Sequence, residues 1–277
     1  MIERTIIHVL SHNVVMAHLT SGKNSIAFGK GIGFKKTPGM PICETEITQE
    51  FLLHTSEVLR NYEQILNAVD VKIIGITEEV IAYAQSMLEG DFSETIHASL
   101  VDHINFAVER QKRGIFITNP FAYEIGYMYP EEYKVAKKSV EFLNDHLDVK
   151  LPEDEIAFLT MHFNSARKKE QASDSLAVVR IVSKTIESAK ELGFSFDDSF
   201  STLRFISHLK GVIERVKQKK TLQNMLLDKI KEEYGDTYVK AKVLSLMLSD
   251  ALQLEVPDDE TGYLTMHLER LLMRSEV

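Results

Sequence analysis

The chain has no tryptophan, one cysteine and only six prolines in 277 residues. A single thiol, Cys43, excludes an internal disulfide and a cysteine-rich zinc site, and it fits a reducing compartment. No segment approaches the ~20 apolar residues that span a bilayer, so membrane insertion is not expected. The 18 residues between Arg4 and Lys23 lack Asp, Glu, Lys and Arg. They nevertheless hold Ser11, His12 and Asn13 mid-run and lead to no small-residue cleavage site, so they do not read as a secretory signal. A cytoplasmic protein is expected. Positive charge is also scarce: 32 basic against 41 acidic side chains give a net charge of −9. That balance excludes a protein that coats nucleic acid through bulk charge. The motifs G-K-[ST], G-x-S-x-G and H-E-x-x-H are absent, which removes the commonest phosphate loop, hydrolase elbow and zinc-protease helix.

What is present divides unevenly. The first 55 residues carry a net charge of +1 and the remaining 222 a net of −10. The leading piece is rich in Gly, Thr, Ile and Val and contains the turn Pro38-Gly39-Met40-Pro41. Strands are expected near residues 5–10, 13–19, 24–28 and 48–53, the first two forming a hairpin about Ser11-His12-Asn13. From Glu57 onward the apolar period becomes helical. The boundary falls near 56–66 without a Gly/Ser-rich linker, so a helical connection is expected.

The rest of the chain repeats itself. Tyr129, Tyr133, Ala136 and Lys137 recur as Tyr234, Tyr238, Ala241 and Lys242. Pro152, Asp154 and Glu155 recur as Pro257, Asp259 and Glu260, and Leu159-Thr160-Met161-His162 as Leu264-Thr265-Met266-His267. Upstream, His103 matches His208, and Glu109-Arg110 matches Glu214-Arg215. Every pair is 105 residues apart. That period is too long for a solenoid repeat and right for a duplicated domain.

Each copy reads as helical. In the first, Ser93 is a candidate cap for a helix with Ile96, Leu100, Ile104 and Val108 on one face, ending at Gly114. A second helix is expected from about Glu131 to Leu147. A third starts at Pro152, with Glu153, Asp154 and Glu155 in the dipole-favoured first turn. The fold class is therefore multidomain: a small all-β antiparallel domain, then two all-α helical-bundle domains.

Four of the ten histidines keep register: His103, His162, His208 and His267. Glu155 and His162 lie seven apart on one helix, about 10 Å along its axis, which is too far to share a metal. No metal or other cofactor is expected, and no catalytic residue stands out. A neutral imidazole is a nucleophile near physiological pH, and a phosphoryl group on it adds roughly −1.5 to −2 charge. Such a charge at a helix contact would repel neighbours or draw in Arg110 or Arg215. Phosphoryl acceptance and plain helix packing both remain open for these rings.

The run Gly29-Lys30-Gly31-Ile32-Gly33-Phe34-Lys35-Lys36 opens no helix and is not a phosphate loop. A glycine-lined bend lets a nucleic-acid backbone approach, with lysines on phosphate and Phe34 against an unpaired base. A hairpin bend with an aromatic plug is the alternative.

With these motifs in place, the chain resembles the transcriptional antiterminators of the BglG/SacY/LicT type along essentially its whole length. The segment Val9 to Val15 is similar to the family's strand–Asn–strand start, and Phe28 to Lys36 to its glycine-rich RNA-contact loop. Leu100 to His103 with Glu109-Arg110, and Asp154 to His162, are similar to the histidine motifs of its first regulation domain. His208 and Thr265-Met266-His267 fill the places in the second. The resemblance implies an RNA-binding domain at 1–56 and phosphotransferase-system (PTS) regulation domains at 66–170 and 171–277. It implies a homodimer that binds a hairpin in nascent leader RNA through Asn13, Gly29, Lys30, Gly31 and Phe34, preventing terminator formation. It further implies that His103, His162, His208 and His267 receive phosphate from the phosphocarrier HPr or a sugar-specific permease. Many members have Arg where Lys30 stands, and the Gly-Lys-Gly-Ile-Gly-Phe form resembles the glucose-permease (GlcT-like) branch. Asp102 precedes His103 whereas Ser207 precedes His208, so unequal phosphorylation is expected, with Asp102 orienting the first ring.

Two other classes compete. A PTS-regulated DNA-binding activator would need a helix-turn-helix ahead of the repeats, where strands and glycines stand instead. A His-dependent phosphotransferase of helical type would need a substrate-binding loop in the repeats, and none is apparent.

Overall fold

The computed structural model describes residues 3–169, 172–197, 200–220 and 222–272. The polar trio Ser11-His12-Asn13 breaks the first apolar run into a hairpin, β1 (Arg4–Val9) and β2 (Val14–Leu19), with a bulge between Ile6 and His8. Strands β3 (Asn24–Phe28), β4 (Pro41–Ile42) and β5 (Gln49–Leu53) complete an antiparallel sheet of order β4-β1-β2-β3-β5. The two-residue β4 was not expected, since alternation has no length over which to register there.

Both faces of this sheet are covered, which is why its strands read as near-continuous apolar runs. Val14, Met16, Ile26 and Phe28 point to one side and pack with Tyr62, Ile74 and Val101 of the following helices. Val15, Ala17 and Ala27 point to the other and pack with Ile6, Ile42 and Ile32, the last supplied by the glycine run.

The connection is helical, as expected. Helix α1 (Ser56–Ala68) starts where the Thr55 hydroxyl accepts from the Val58 amide, and α2 (Val71–Met87) where Asp70 accepts from the Lys72 amide. Helix α3 (Thr95–Lys112) starts behind Glu94 with no side-chain cap. The expected Ser93 cap falls one residue early: Glu94 occupies the cap position, while the Ser93 hydroxyl accepts a long hydrogen bond, 3.5 Å, from the Thr95 amide. Gly114, with φ of 67°, closes the end of that helix, where a left-handed backbone favours glycine. Then follow α4 (Ala122–Met128), α5 (Pro130–His146) and α6 (Asp154–Lys168). The second copy contributes α7 (Ala172–Glu191), α8 (Phe200–Lys217), α9 (Leu227–Glu233), α10 (Gly235–Leu252) and α11 (Asp258–Leu272).

These elements form two compact units, Met1–Pro120 with Glu131–Ala172, and Phe121–Pro130 with Ser173–Val277. The first holds the sheet and a helical core around Leu100, Ile104, Ala136, Leu143, Leu159 and Phe163. The second is helical and includes α4. That short helix is anchored there by Lys210, which donates to the Met128 carbonyl at 2.8 Å and lies over the Tyr129 ring. Ser183 adds a hydrogen bond to Glu124. The equivalent helix of the second copy, α9, packs on α10 and α11.

Candidate functional site

The glycine run is folded against the β1–β2 turn by three separate devices. The Asn13 carboxamide oxygen accepts from the Gly31 amide at 3.0 Å, while the Asn13 carbonyl accepts from the Gly29 amide. Gly33 donates to the His12 carbonyl, and a Cβ at Gly33 would stand 2.2 Å from the Ser11 carbonyl oxygen. A Cβ at Gly29 would stand 1.8 Å from the Glu46 carbonyl oxygen. These two glycines are required by close approach, whereas Gly31 has φ of 70°. Ile32 is buried, so the bend is pinned from below.

What the bend presents to solvent is cationic and aromatic. Phe34 is 53% exposed, meets His12 edge-on at 5.5 Å and carries the Lys35 ammonium 5.2 Å from its ring centre. Lys30 is exposed on the same bend. Asn13, Gly29, Lys30, Gly31 and Phe34 thus come together in one place. An exposed aromatic face with an ammonium group over it, and a second lysine on the same bend, can stack a base and neutralise phosphate without a strongly basic domain.

This turn is tied to the helices behind it. The Ser11 hydroxyl donates to Glu79 at 2.7 Å, and Gly75 of α2 lies so close to Leu10 that a Cβ would stand 2.2 Å from the Leu10 carbonyl oxygen. Beneath, fully buried Glu78 accepts from the Tyr62 hydroxyl at 2.8 Å and pairs with His97 Nδ1 at 2.7 Å. Phe51 of β5 meets the His97 ring edge-on. Burial pushes the Tyr62 phenol well up, with the Glu78 charge adding to it. Sequence reading missed this network, because a lone Glu or His on an apolar helix face gives no signal of its partner.

The registered histidines pair within each module. His103 of α3 and His162 of α6 have ring centres 5.0 Å apart, and His208 of α8 stacks on His267 of α11 at 4.4 Å. Burial, with the His103 charge adding, pushes His162 down to about 3. Burial, then His267 and Arg215, pushes His208 down to about 3, and burial with Arg270 and Arg204 pushes His267 down to about 4. These three rings are therefore neutral at physiological pH, the form in which an imidazole nitrogen is nucleophilic.

A carboxylate stands behind each pair. Glu155, 1% exposed, accepts from Arg110 Nη2 at 2.6 Å through Oε1 and bonds His103 Nε2 at 2.7 Å through Oε2. Glu260 instead takes both Nε and Nη2 of Arg215, at 2.7 and 2.8 Å. His208 Nε2 is then left 4.0 Å away with no hydrogen-bond partner. The two modules differ in this carboxylate geometry; Asp102 is exposed, and the carboxylate bonded to the His103 ring is that of Glu155. The sequence marks Glu155 as a repeated, first-turn residue of its helix but does not show that it bonds His103. The constant 105-residue offset of Arg110/Arg215 and Glu155/Glu260 was the available signal. Among the described residues, no cluster of three or more His, Cys, Asp or Glu is arranged to hold a metal ion. Among them, too, no helix is long and apolar enough to cross a membrane.

Comparison with known proteins agrees with this division of parts. The CAT RNA binding domain family matches residues 5–59, and the PRD domain family matches residues 78–166 and 181–271. The chain is 27% identical to the transcription antiterminator LicT of Bacillus subtilis (strain 168), covering 96% of this chain and 98% of that protein. It is 29% identical to the protein GlcT of Staphylococcus haemolyticus (strain JCSC1435), covering 96% and 95%. The beta-glucoside operon antiterminator of Dickeya chrysanthemi is 27% identical, with 97% and 96% covered. A crystal structure of GlcT CAT-PRDI superposes with a TM-score of 0.52 at 34% identity, covering 60% of this chain and 98% of that one.

Proposed function

Since this chain belongs to the antiterminator family that joins a CAT RNA binding domain to two PRD domains, we propose that it is a PTS-controlled transcription antiterminator acting on nascent leader RNA. Residues 1–56 are the reader, a homodimer that clamps an RNA hairpin and keeps a terminator from forming. Residues 66–170 and 171–277 are the two regulation domains. The protein is a regulator rather than an enzyme and works in the cytoplasm. The GlcT relatives support the glucose-permease branch.

Asn13, Gly29, Lys30, Gly31 and Phe34 contact the RNA. A domain of net charge +1 gains little from long-range attraction, so its affinity rests on dimerisation and local stacking. His103, His162, His208 and His267 accept phosphate from HPr or from a sugar-specific permease. Phosphate on the first pair brings roughly −1.5 to −2 charge up to buried Glu155, which favours a different helix packing and disfavours the active dimer. Dephosphorylation during sugar transport restores it. A shift of this kind needs only a few kcal/mol of differential stability.

The observation that carries the proposal is the Asn13–Gly31 hydrogen bond, which holds the glycine bend so that Phe34 and the lysines face outward. Phe34→Ala in the full chain should weaken binding to a leader hairpin by about tenfold or more, the value of one base–aromatic stack. Unchanged affinity in a gel-shift titration of both Phe34→Ala and Asn13→Ala removes the RNA-contact assignment.

A further inference from the structure

Glu155 has its two oxygens on different partners, and this fixes the chemistry of His103. A carboxylate clamped by an arginine accepts hydrogen bonds and does not donate them. The ring nitrogen bonded to it, Nε2, therefore carries the proton. In the neutral ring the lone pair then stands on Nδ1, which has no hydrogen bond in the structure. Phe158 and His162 flank the ring at 5.6 and 5.0 Å, and 16% of the side chain remains exposed. The ring is held in one orientation with one open edge.

The second module shows what removes this control. Residue 211, the counterpart of Phe106, is glycine. In the first module the Arg110 guanidinium lies over the Phe106 ring at 5.1 Å; it reaches Glu155 through Nη2, while its Nε is unpartnered. In the second, Arg215 Nη1 occupies the space beside Gly211, 3.0 Å from where a Cβ would stand. From there the guanidinium meets Glu260 side-on and takes both oxygens. Nothing is left for His208.

We infer that Glu155 is a positioning residue that directs phosphoryl transfer to Nδ1 of His103, that Phe106 keeps one Glu155 oxygen available for the task, and that His208 lacks such direction. The inference rests on reading these histidines as phosphoryl acceptors. In the step, the Nδ1 lone pair attacks the phosphorus of a phosphohistidine on the donor protein. The new N–P bond forms as the donor's N–P bond breaks, and that electron pair returns to the donor imidazole. No proton leaves His103. Its Nε2–H stays on Glu155, whose charge faces the phosphoimidazolium.

The test uses the full chain carrying 15N-histidine. In the unphosphorylated protein, long-range 1H–15N correlations should report His103 as the Nε2–H tautomer, and Glu155→Gln should lose that preference. Phe106→Ala, an exposed change that leaves the core intact, should lose it too as Arg110 swings onto both oxygens. An Nδ1–H tautomer in the wild type, or a tautomer unmoved in both variants, overturns the inference whatever the phosphorylation result. After incubation with phosphoenolpyruvate, enzyme I and HPr, phospho-His103 should be the Nδ1 isomer by roughly tenfold or more, a ratio that a charge-assisted hydrogen bond sustains. The two isomers should become comparable in Glu155→Gln. Phosphate on Nε2 of wild-type His103 overturns the inference while leaving the functional reading intact. No phosphate on any of the four histidines overturns that reading and the transfer step with it, while the tautomer measurement still reports on Glu155 by itself.

Discussion

In the first module Glu155 shares its oxygens between an arginine and a histidine, whereas in the second Glu260 gives both to the arginine. The residue types at these places are the same, 105 positions apart. What differs is the neighbour one helical turn before the arginine, Phe106 in one copy and Gly211 in the other. A duplicated site can thus keep every polar residue and still change which atom is free to react. The flanking aromatic decides how the guanidinium approaches, and that approach decides what the histidine is left with.

The largest effect expected from breaking this comparison is on stability. Glu155→Ala strands Arg110, whose side chain is 9% exposed, and should cost about 3–5 kcal/mol in urea unfolding. Glu260→Ala should cost about 1–2 kcal/mol less, because Arg215 is 27% exposed and can turn to water. Equal losses in the two variants would contradict the contrast in burial.

Acid should separate the modules next. His208 is held down to about 3 and His267 to about 4, while in the first pair the large depression is at His162, to about 3. An imidazole whose folded pKa lies below its unfolded 6.5 binds its proton first in the unfolded chain. Its contribution is therefore full above about pH 6.5 and is lost progressively as pH falls toward the folded values, about 4 for His267 and about 3 for His208. Amide exchange between pH 7 and pH 5 should show α8 and α11 losing protection more steeply than α3 and α6. His208→Asn should flatten that slope, and a slope untouched by this change counts against neutral burial as its cause.

The smallest effect is expected at the residue that set the difference. Gly211→Ala gains about 1 kcal/mol of helix propensity, offset by displacement of Arg215 Nη1, the mobile end of a long side chain. A net change within about 1 kcal/mol of zero in thermal unfolding is predicted. A larger loss would mean that Arg215 cannot move, and that the second clamp is rigid.

Much of this molecule was legible in its sequence where a local rule had room to act. The hairpin about Ser11 to Asn13, the helical connection after Thr55 and the start of α11 behind Pro257 each rest on a few adjacent residues. Two-residue β4 and the one-residue shift at the start of α3 lay below that resolution. The short helix α4 shows a different limit. It falls inside the first repeat along the chain yet belongs to the second compact unit, because Lys210 and Ser183 hold it there. An offset shows that a segment has a counterpart and is blind to which neighbours it joins. In the site, repetition singled out the four histidines and their arginines. The Glu155–His103 bond joins residues 52 apart in the chain and needed the packing of α3 on α6 to become visible.

The central claim, that phosphate on the first histidine pair silences the RNA reader, is tested most directly by terminator readthrough in a purified transcription reaction. The template carries the leader hairpin and terminator, and the full-length protein is added with or without the phosphoenolpyruvate-driven HPr cascade. Readthrough should be high with unmodified protein, fall several-fold on phosphorylation, and stay high for a His103→Ala, His162→Ala double variant under the same treatment. Readthrough that is unchanged when mass spectrometry finds phosphate on His103 or His162, or that falls equally in the double variant, would contradict the account.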